Sequence, residues 1–530
     1  MIETAMTGLF AWFLGIILGL LTTRLFQMIL LALSDIAIPL EFHFTWKPVL
    51  ITSVIYFLFY GFFVVKGYLS IVRSSILNLV SASRQNEYVR QKLFLLILKT
   101  VLGVDILCIG YYLAIKDGGQ EVLGNVLSAV VLVTIGVYLL FGGLIPLIFQ
   151  GSSKNKRFLY NRQRNLWINS MIFRMKKNHR TYAMVCILIL CSVTALATGF
   201  AMKERYYNMV HFSNTYTFQL LCNEPEKEKL FRETLEQEDE LSYSSEASVL
   251  LLESSLVEEV TYDTVYGVIP YSDIIEISKS TGMELDFPEP SDDEIIVADH
   301  LPLLSLITDI ENLTTSINGK EYVQIERTRV PYLGEMQRMF SLFIVSDDEY
   351  ERLFPFGTEI HTYNYKIAHP EKYEKARAAT DILTEQDENL GRISVDPKNS
   401  DIDWIKVLYS LAVFLFLVFI FASGSILFMR QYNDAFEEVP RYQVLQKIGI
   451  SEGTLKKSIA WELGISYVIP FVVMAISSYF SVHSLEKMMY NHLFFIQIVS
   501  VAVVLGILIV FYILSLAAYW KNVGLSGNRY

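Results

Sequence analysis

Long apolar stretches alternate with short polar connections along most of this chain. The apolar stretches lie near residues 8–33, 48–68, 94–115, 121–149, 182–203, 403–429, 458–481 and 492–519. A helix needs about 20 mostly apolar residues to cross the hydrocarbon core of a bilayer. The pattern therefore predicts an all-α polytopic membrane protein with about eight transmembrane helices.

One long polar interval, residues 204–402, has a different pattern. Alternating apolar and polar positions predict strands, and apolar residues every three or four positions predict helices. The predicted strands are 217–222, 249–253, 259–269, 294–298, 320–326, 339–345 and 358–366; the predicted helices are 224–235, 272–281, 347–353 and 370–385, with Ser272 and Ser346 as N-caps. This pattern predicts one large extracellular α+β domain.

The charge distribution divides the chain in the same way. Residues 204–402 carry 41 Asp and Glu against 16 Lys and Arg, whereas the rest carries 14 against 28, within a total net charge of -11. We expect three regions: spans one to five with basic cytoplasmic loops (1–203), an acidic domain (204–402), and spans six to eight (403–530). The acidity is typical of a solvated surface, and it would also attract cationic ligands to the membrane.

Lysine and arginine in the short loops predict the orientation of the chain. The connection 151–180 holds nine of them and no acid, and 67–92 holds four against one acid. Short loops rich in these residues stay in the cytoplasm. Both termini are therefore expected in the cytoplasm and residues 204–402 outside the cell. The single cysteine of that domain, Cys222, excludes a disulfide within it and favours a Gram-positive cell surface.

The sequence contains few signs of catalysis. It has no Walker A motif, no HExxH and no GxSxG, so ATP hydrolysis is not expected in this chain, nor are a metal site, a bound cofactor or a nucleic-acid partner. Arg24 and Asp105 lie within predicted spans, where charges face a partner, a cavity or a lipid phosphate. They could pair with each other, or serve only structural roles.

A short cytoplasmic segment, 436–457, joins spans six and seven. Its pattern predicts two short helices: Pro440 fits the first turn of the first helix, Gly449 ends it, and Ser451 caps the second. Val444, Leu445 and Ile448 form one apolar face. Such a helix is suited to docking a soluble partner or to lying on the lipid surface.

This segment carries a family resemblance. RYQVLQKIGIS (441–451) and LKKSIAWEL (455–463) resemble the coupling segment of FtsX-like ABC transporter permeases, most closely the BceB-type bacitracin-resistance branch. GIILG (15–19), RLFQMIL (24–30), RSSILNL (73–79), FLYNRQRNLW (158–167) and FRMKKN (173–178) resemble other stretches of that family in the same order. Members have ten spans, so the resemblance implies that this chain is N-terminally truncated by two spans, with Gly15 and Gly19 suited to close helix packing.

The resemblance implies a function and partners. The chain would be a permease subunit that detaches or expels cationic peptide antibiotics acting on cell-wall lipid intermediates, and that also senses them. ATP would be bound by a cytoplasmic, homodimeric ATPase, which would contact Arg441, Leu445, Ile448 and Gly449, and a membrane histidine kinase is a further expected partner. The alternatives are a peptide sensor that signals to the kinase without transport, a non-functional truncated permease, and a permease that extracts lipoproteins or regulates wall hydrolases.

Overall fold

The protein is described by a computed structural model. The described residues are 2–34, 45–73, 93–116, 122–154, 157, 164–258, 265–302, 314–385, 391–398, 401–489 and 492–525. Eight long helices account for most of them outside the sheet. These are α1 (Ile2–Ser34), α2 (Trp46–Arg73), α3 (Leu93–Ile115), α4 (Val122–Lys154), α5 (Arg164–Ser213), α10 (Trp404–Lys447), α11 (Glu452–Met489) and α12 (Phe494–Asn522).

Seven of these helices contain a stretch long and apolar enough to cross a membrane, among the described residues. The stretches are Trp46–Leu69, Leu93–Ile115, Leu123–Ser152, Asn178–Ser213, Trp404–Lys447, Glu452–Met489 and Phe494–Asn522, and α1 adds the shorter apolar stretch Met6–Leu21. Together with the sheet described below, they confirm the predicted polytopic membrane protein with an α+β domain.

Close backbone approach holds α3 against α4. A Cβ atom on Gly103 would lie 3.0 Å from the backbone nitrogen of Leu140, and one on Gly143 would lie 2.8 Å from that of Thr100. Small residues at such crossings let membrane helices gain van der Waals contact that lipid cannot replace. The main membrane core then forms where α3 and α4 meet α5, α10, α11 and α12.

Within the described residues, the polar domain contains a mixed sheet of ten strands. Its strands are β1 (Phe218–Leu221), β2 (Leu241–Glu253), β3 (Val257–Glu258), β4 (Val265–Pro270), β5 (Glu294–Ala298), β6 (Thr314–Ile317), β7 (Lys320–Thr328), β8 (Ser341–Val345), β9 (Thr358–Ile367) and β10 (Gly391–Ser394). The spatial order is β10-β1-β9-β2-β4-β8-β5-β7-β6-β3, with β4–β8 and β5–β7 parallel and the other pairs antiparallel. β1 pairs with β10 at one edge, so the two strands nearest the membrane helices in sequence are neighbours.

The central strands are buried on both faces. In β4, Val268 packs into one hydrophobic cluster and Ile269 into the cluster on the opposite face. Strands buried on both sides are nearly continuous apolar runs, as β5 and β8 are. The helices that cover the sheet are α6 (Pro225–Glu238), α7 (Tyr271–Thr281), α8 (Asp347–Leu353) and α9 (Tyr373–Glu385).

Most elements of this domain agree with the sequence-based predictions. Strand 294–298 and helix 347–353 have the predicted bounds, and Ser346 caps α8 by accepting from the backbone nitrogen of Glu349. The N-cap prediction at Ser272 is wrong, because Pro270 occupies that position and Ser272 lies within α7. Strands β3, β6 and β10 were not predicted, since runs of two to four residues carry almost no periodicity.

Asp273 supplies a pH-dependent contribution to the stability of this domain. Its carboxylate accepts from the backbone nitrogen of Ser248, 2.7 Å away. Burial, with Glu276, Asp347 and Glu246 nearby, raises the pKa of Asp273 to about 6. A raised pKa means that the folded state binds the proton more tightly than the unfolded state does. This contribution is therefore present at low pH and is lost as the pH rises from about 4 through 6.

We predict that Asp273→Asn removes this pH dependence. At pH 7 the neutral amide should stabilise β2 and α7 by about 1 kcal/mol relative to the carboxylate, a value reduced because the group is partly exposed. Hydrogen-exchange protection of these segments in the intact protein, measured from pH 4 to 7, checks the prediction. Asp348→Asn, at an exposed position, is the control. An equal change in protection in both variants would contradict the prediction.

Candidate functional site

A buried cluster of charged and polar side chains lies beside the segment 436–457. At its centre is Arg174 of α5, which is 2% exposed. Its Nε lies 2.8 Å from Glu462 Oε1 of α11, and its Nη2 lies 3.2 Å from Glu438 Oε1 of α10. It also donates to Gln431 and to the hydroxyl of Tyr519 of α12. One guanidinium thus joins four helices.

The carboxylate of Glu462 accepts two further hydrogen bonds, from side chains of α5 and α10. Ser170, one turn before Arg174 on α5, donates to Glu462 Oε1, and Tyr442 donates to Oε2 at 3.4 Å. The carboxylate is fully buried. A buried charge costs several kcal/mol unless it is paired and hydrogen-bonded, and Glu462 meets both conditions.

Arg441 forms a second connection between α10 and α5. It donates to Glu438 Oε2 at 3.0 Å and to the backbone carbonyl of Leu166 at 2.8 Å. Because Glu438 also contacts Arg174, the two arginines share one carboxylate. The third acid of the cluster, Asp434, pairs with Arg430 at 2.9 Å, so three formal positive charges face three negative charges.

The segment itself departs from the prediction of two short helices. Helix α10 continues without interruption through Pro440 to Lys447, so the placement of Pro440 in a first helical turn is wrong. Proline inside a helix removes one backbone hydrogen bond. Here Asp434 and Glu438 before Pro440, and Arg441 after it, are held by the same cluster, and these contacts offset the loss.

The end of the helix is as predicted. Gly449 has a φ of 93°, which is a left-handed conformation. The backbone nitrogen of Gly449 donates to the carbonyl of Gln446, and the backbone nitrogen of Ile450 donates to the carbonyl of Leu445. Glycine adopts this conformation without steric cost. Ser451 immediately precedes α11, and its carbonyl accepts from Thr454 and Leu455.

The four predicted ATPase contacts lie in different environments. Ile448 is 69% exposed, and Gly449 is exposed beside it. Leu445 packs against a small buried core that joins α10, α11 and α12, and Arg441 is engaged in the ionic cluster. The exposed apolar side chains of the segment are therefore Phe436 at its start and Val444 and Ile448 near the end of α10.

Of the two predicted intramembrane charges, Asp105 is not part of this cluster. Asp105 is exposed on α3, and the side chain of Arg24 lies outside the described residues. Their possible pairing stays untested. Most of the basic loop 67–92, including RSSILNL from Ser74 onward, also lies outside the described residues.

Sequence reasoning missed Arg174. In the sequence it is one of the nine basic residues of connection 151–180 that indicate orientation, although α5 already begins at Arg164. The available signal was its place in FRMKKN, one of the stretches that carry the family resemblance. Burial of one arginine among several basic residues depends on partners more than 250 positions away in sequence, such as Glu438 and Glu462.

We predict that Arg174→Met destabilises the protein by about 3 kcal/mol, because Glu438 and Glu462 then stay buried without their main counter-charge. The double variant Arg174→Met with Glu462→Met should recover part of this loss. Thermal unfolding of the purified chain in one detergent measures both. Equal destabilisation by the single and the double variant would contradict the pairing.

Comparison with known proteins finds relatives that match most of the chain. No family model matches the chain. It is similar to the bacitracin export permease protein BceB of Bacillus subtilis, 23% identical over 89% of this chain and 75% of that protein. The protein of the same name from Halalkalibacterium halodurans is 22% identical over 96% of this chain and 81% of its own length. The ABC transporter permease protein YxdM of B. subtilis is 22% identical over 91% and 76%. These relatives confirm the predicted resemblance.

Proposed function

We propose that this BceB-type permease, the membrane subunit of an ABC transporter, detaches or expels cationic peptide antibiotics that act on cell-wall lipid intermediates, and that it also senses them. The observation that supports a mechanical role is a pair of long helices, α5 and α10, which connects the ionic cluster with the sheet. We call this pair the α5–α10 rod.

Contacts join the two helices of the rod to each other at both ends and along their length. At one end, Arg174 and Arg441 join the two helices through Glu438. At the other end, the hydroxyl of Tyr206 donates to Asp403 at 2.6 Å. Between them, a Cβ on Gly199 would lie 3.2 Å from the carbonyl oxygen of Tyr409, so the backbones approach closely. Two helices held in this way are suited to moving as one unit.

The rod enters the sheet at a single edge. Helix α5 ends at Ser213 and leads into β1, while β10 leads into α10, and β1 pairs directly with β10. Lys366 of β9 donates to the carbonyl of Asn214 just beyond α5. A displacement of the rod would therefore be transmitted to strands that pair with each other.

The proposed orientation follows the charge. With the basic connections in the cytoplasm, the acidic polar domain lies outside the cell, where its excess of carboxylates attracts cationic peptides. The segment 436–457 then lies in the cytoplasm. An ATPase homodimer that binds ATP would push against this segment and move the rod, and the same rod would report peptide binding to a histidine kinase.

The function is tested by expressing the chain, with its ATPase partner, in a Gram-positive host made sensitive to bacitracin. We expect the minimum inhibitory concentration to rise with both proteins and to stay low when the ATPase cannot hydrolyse ATP. Unchanged sensitivity with both proteins present in the membrane would contradict the proposal. Retained peptide signalling without any gain in resistance would instead favour a sensor that does not transport.

Docking at the exposed end of α10 is tested by Ile448→Asp. The added charge would be desolvated at an apolar interface, so we expect resistance to be lost while the protein stays in the membrane. Gln443→Asp is the matched control, since it adds the same charge at an exposed polar position of the same helix. Loss of resistance in the control, or its retention in Ile448→Asp, would argue against the docking surface.

Gly449→Pro tests the helix end separately. Proline fixes φ near −65°, whereas Gly449 has φ 93, and proline lacks the hydrogen that Gly449 donates to Gln446. We expect loss of resistance with normal membrane levels, measured by antibiotic sensitivity and immunoblotting. Full resistance would show that the geometry of this helix end is not needed for coupling.

A further inference from the structure

An apolar groove lies between α11 and α12 at the end nearest the segment 436–457. Its volume is about 550 Å³. Trp461, Gly464, Val468 and Phe471 of α11 form one wall, and Ile509 and Tyr512 of α12 contribute to the other. We call it the α11–α12 groove. Several of these side chains are strongly exposed, Trp461 at 65% and Val468 at 55% among them.

The groove exists because of residue spacing on α11. Lys457, Trp461, Gly464, Val468 and Phe471 recur every three or four positions, so they share one helix face. Gly464 has no side chain to fill the middle of this face, and a Cβ there would lie 3.9 Å from the ring of Tyr512. The Tyr512 hydroxyl donates to the carbonyl of Ala460 at 3.1 Å and holds the two helices together beside the opening.

The length of the groove corresponds to one lipid chain. From Lys457 to Phe471 the helix rises about 21 Å at 1.5 Å per residue. The hydrocarbon of one leaflet is about 15 Å deep, half of a core of about 30 Å. The lining segment of α11 is therefore long enough to follow a lipid chain through one leaflet, and it belongs to a helix apolar enough to span the membrane.

The end of the groove has the chemistry of a headgroup site. Lys457 is exposed there, and Trp461 lies one turn further along α11. Tryptophan is typical of the membrane–water interface, and lysine at a membrane surface attracts anionic lipids. Lys456 has a separate contact, with its ammonium 5.8 Å from the ring of Trp520. The groove is thus apolar along its length and cationic at its mouth.

We propose that the α11–α12 groove binds one acyl chain of an anionic phospholipid, with the lipid phosphate at Lys457. The lipid comes from the leaflet on the side of the segment 436–457. The opposite face of α11 carries Glu462 and Ser466, which belong to the ionic cluster and its surroundings. A bound chain therefore steadies the helix that supplies Glu462 to Arg174.

The test reconstitutes the full chain in phosphatidylcholine vesicles with a small fraction of phosphatidylglycerol that carries a photoreactive group on its acyl chain. After illumination, mass spectrometry locates the adducts. We expect labelling in residues 457–471, removed by excess phosphatidylglycerol but not by excess phosphatidylcholine. Labelling spread evenly over exposed helices, or displaced equally by both lipids, would overturn the proposal.

Two variants with matched controls sharpen the result. Gly464→Leu fills the groove, and labelling of 457–471 should fall about tenfold, equivalent to about 1.4 kcal/mol. Gly506→Leu adds the same side chain to α12 at an exposed position, where a Cβ meets nothing within 4 Å, and should label like the unaltered chain. Equal labelling of both variants would overturn occupancy of the groove.

Lys457→Gln should remove the preference for phosphatidylglycerol while some labelling persists, and the exposed Lys521→Gln should retain the preference. A preference that survives in Lys457→Gln would overturn the headgroup assignment.

A photoreactive residue in place of Val468 tests whether a protein helix, instead of a lipid chain, fills the groove. Lipid adducts support the proposal, whereas adducts to another protein helix would overturn it.

Discussion

The structure depends on the pairing of Arg174 with Glu438 and Glu462. A guanidinium and two carboxylates lie in a membrane protein interior where an unpaired charge would cost several kcal/mol. The three groups belong to three different helices, and Tyr519 adds a fourth. None of these helices can move alone without separating a pair. The cluster therefore favours concerted displacement and resists independent motion.

That constraint explains the use of long continuous helices. Helix α5 has 50 residues and α10 has 44, and both run from the ionic cluster to the edge of the sheet. The contact of Tyr206 with Asp403 joins the same helices again near the sheet. The two helices therefore connect the exposed end of α10 with the parts of the chain that contain β1 and β10.

Helix α11 contributes side chains both to the ionic cluster and to the α11–α12 groove. One face supplies Glu462 to the buried ionic cluster, and the other lines the α11–α12 groove with Gly464 and Trp461. Because both faces belong to one helix, the ionic cluster and the α11–α12 groove share the same element.

The sequence by itself determined the features that depend on local spacing. These include the membrane spans, the α+β alternation of the polar region, the cap at Ser346 and the helix end at Gly449, because each requires only residues within a few turns. The order of ten strands, the passage of α10 through Pro440 and the burial of Arg174 were decided by the tertiary structure. Each depends on partners far apart in the chain, as with Arg174 and Glu438, 264 positions apart. Local periodicity carries no information about which charges from distant parts of the chain will lie together. The packing of the helices therefore selects these partners.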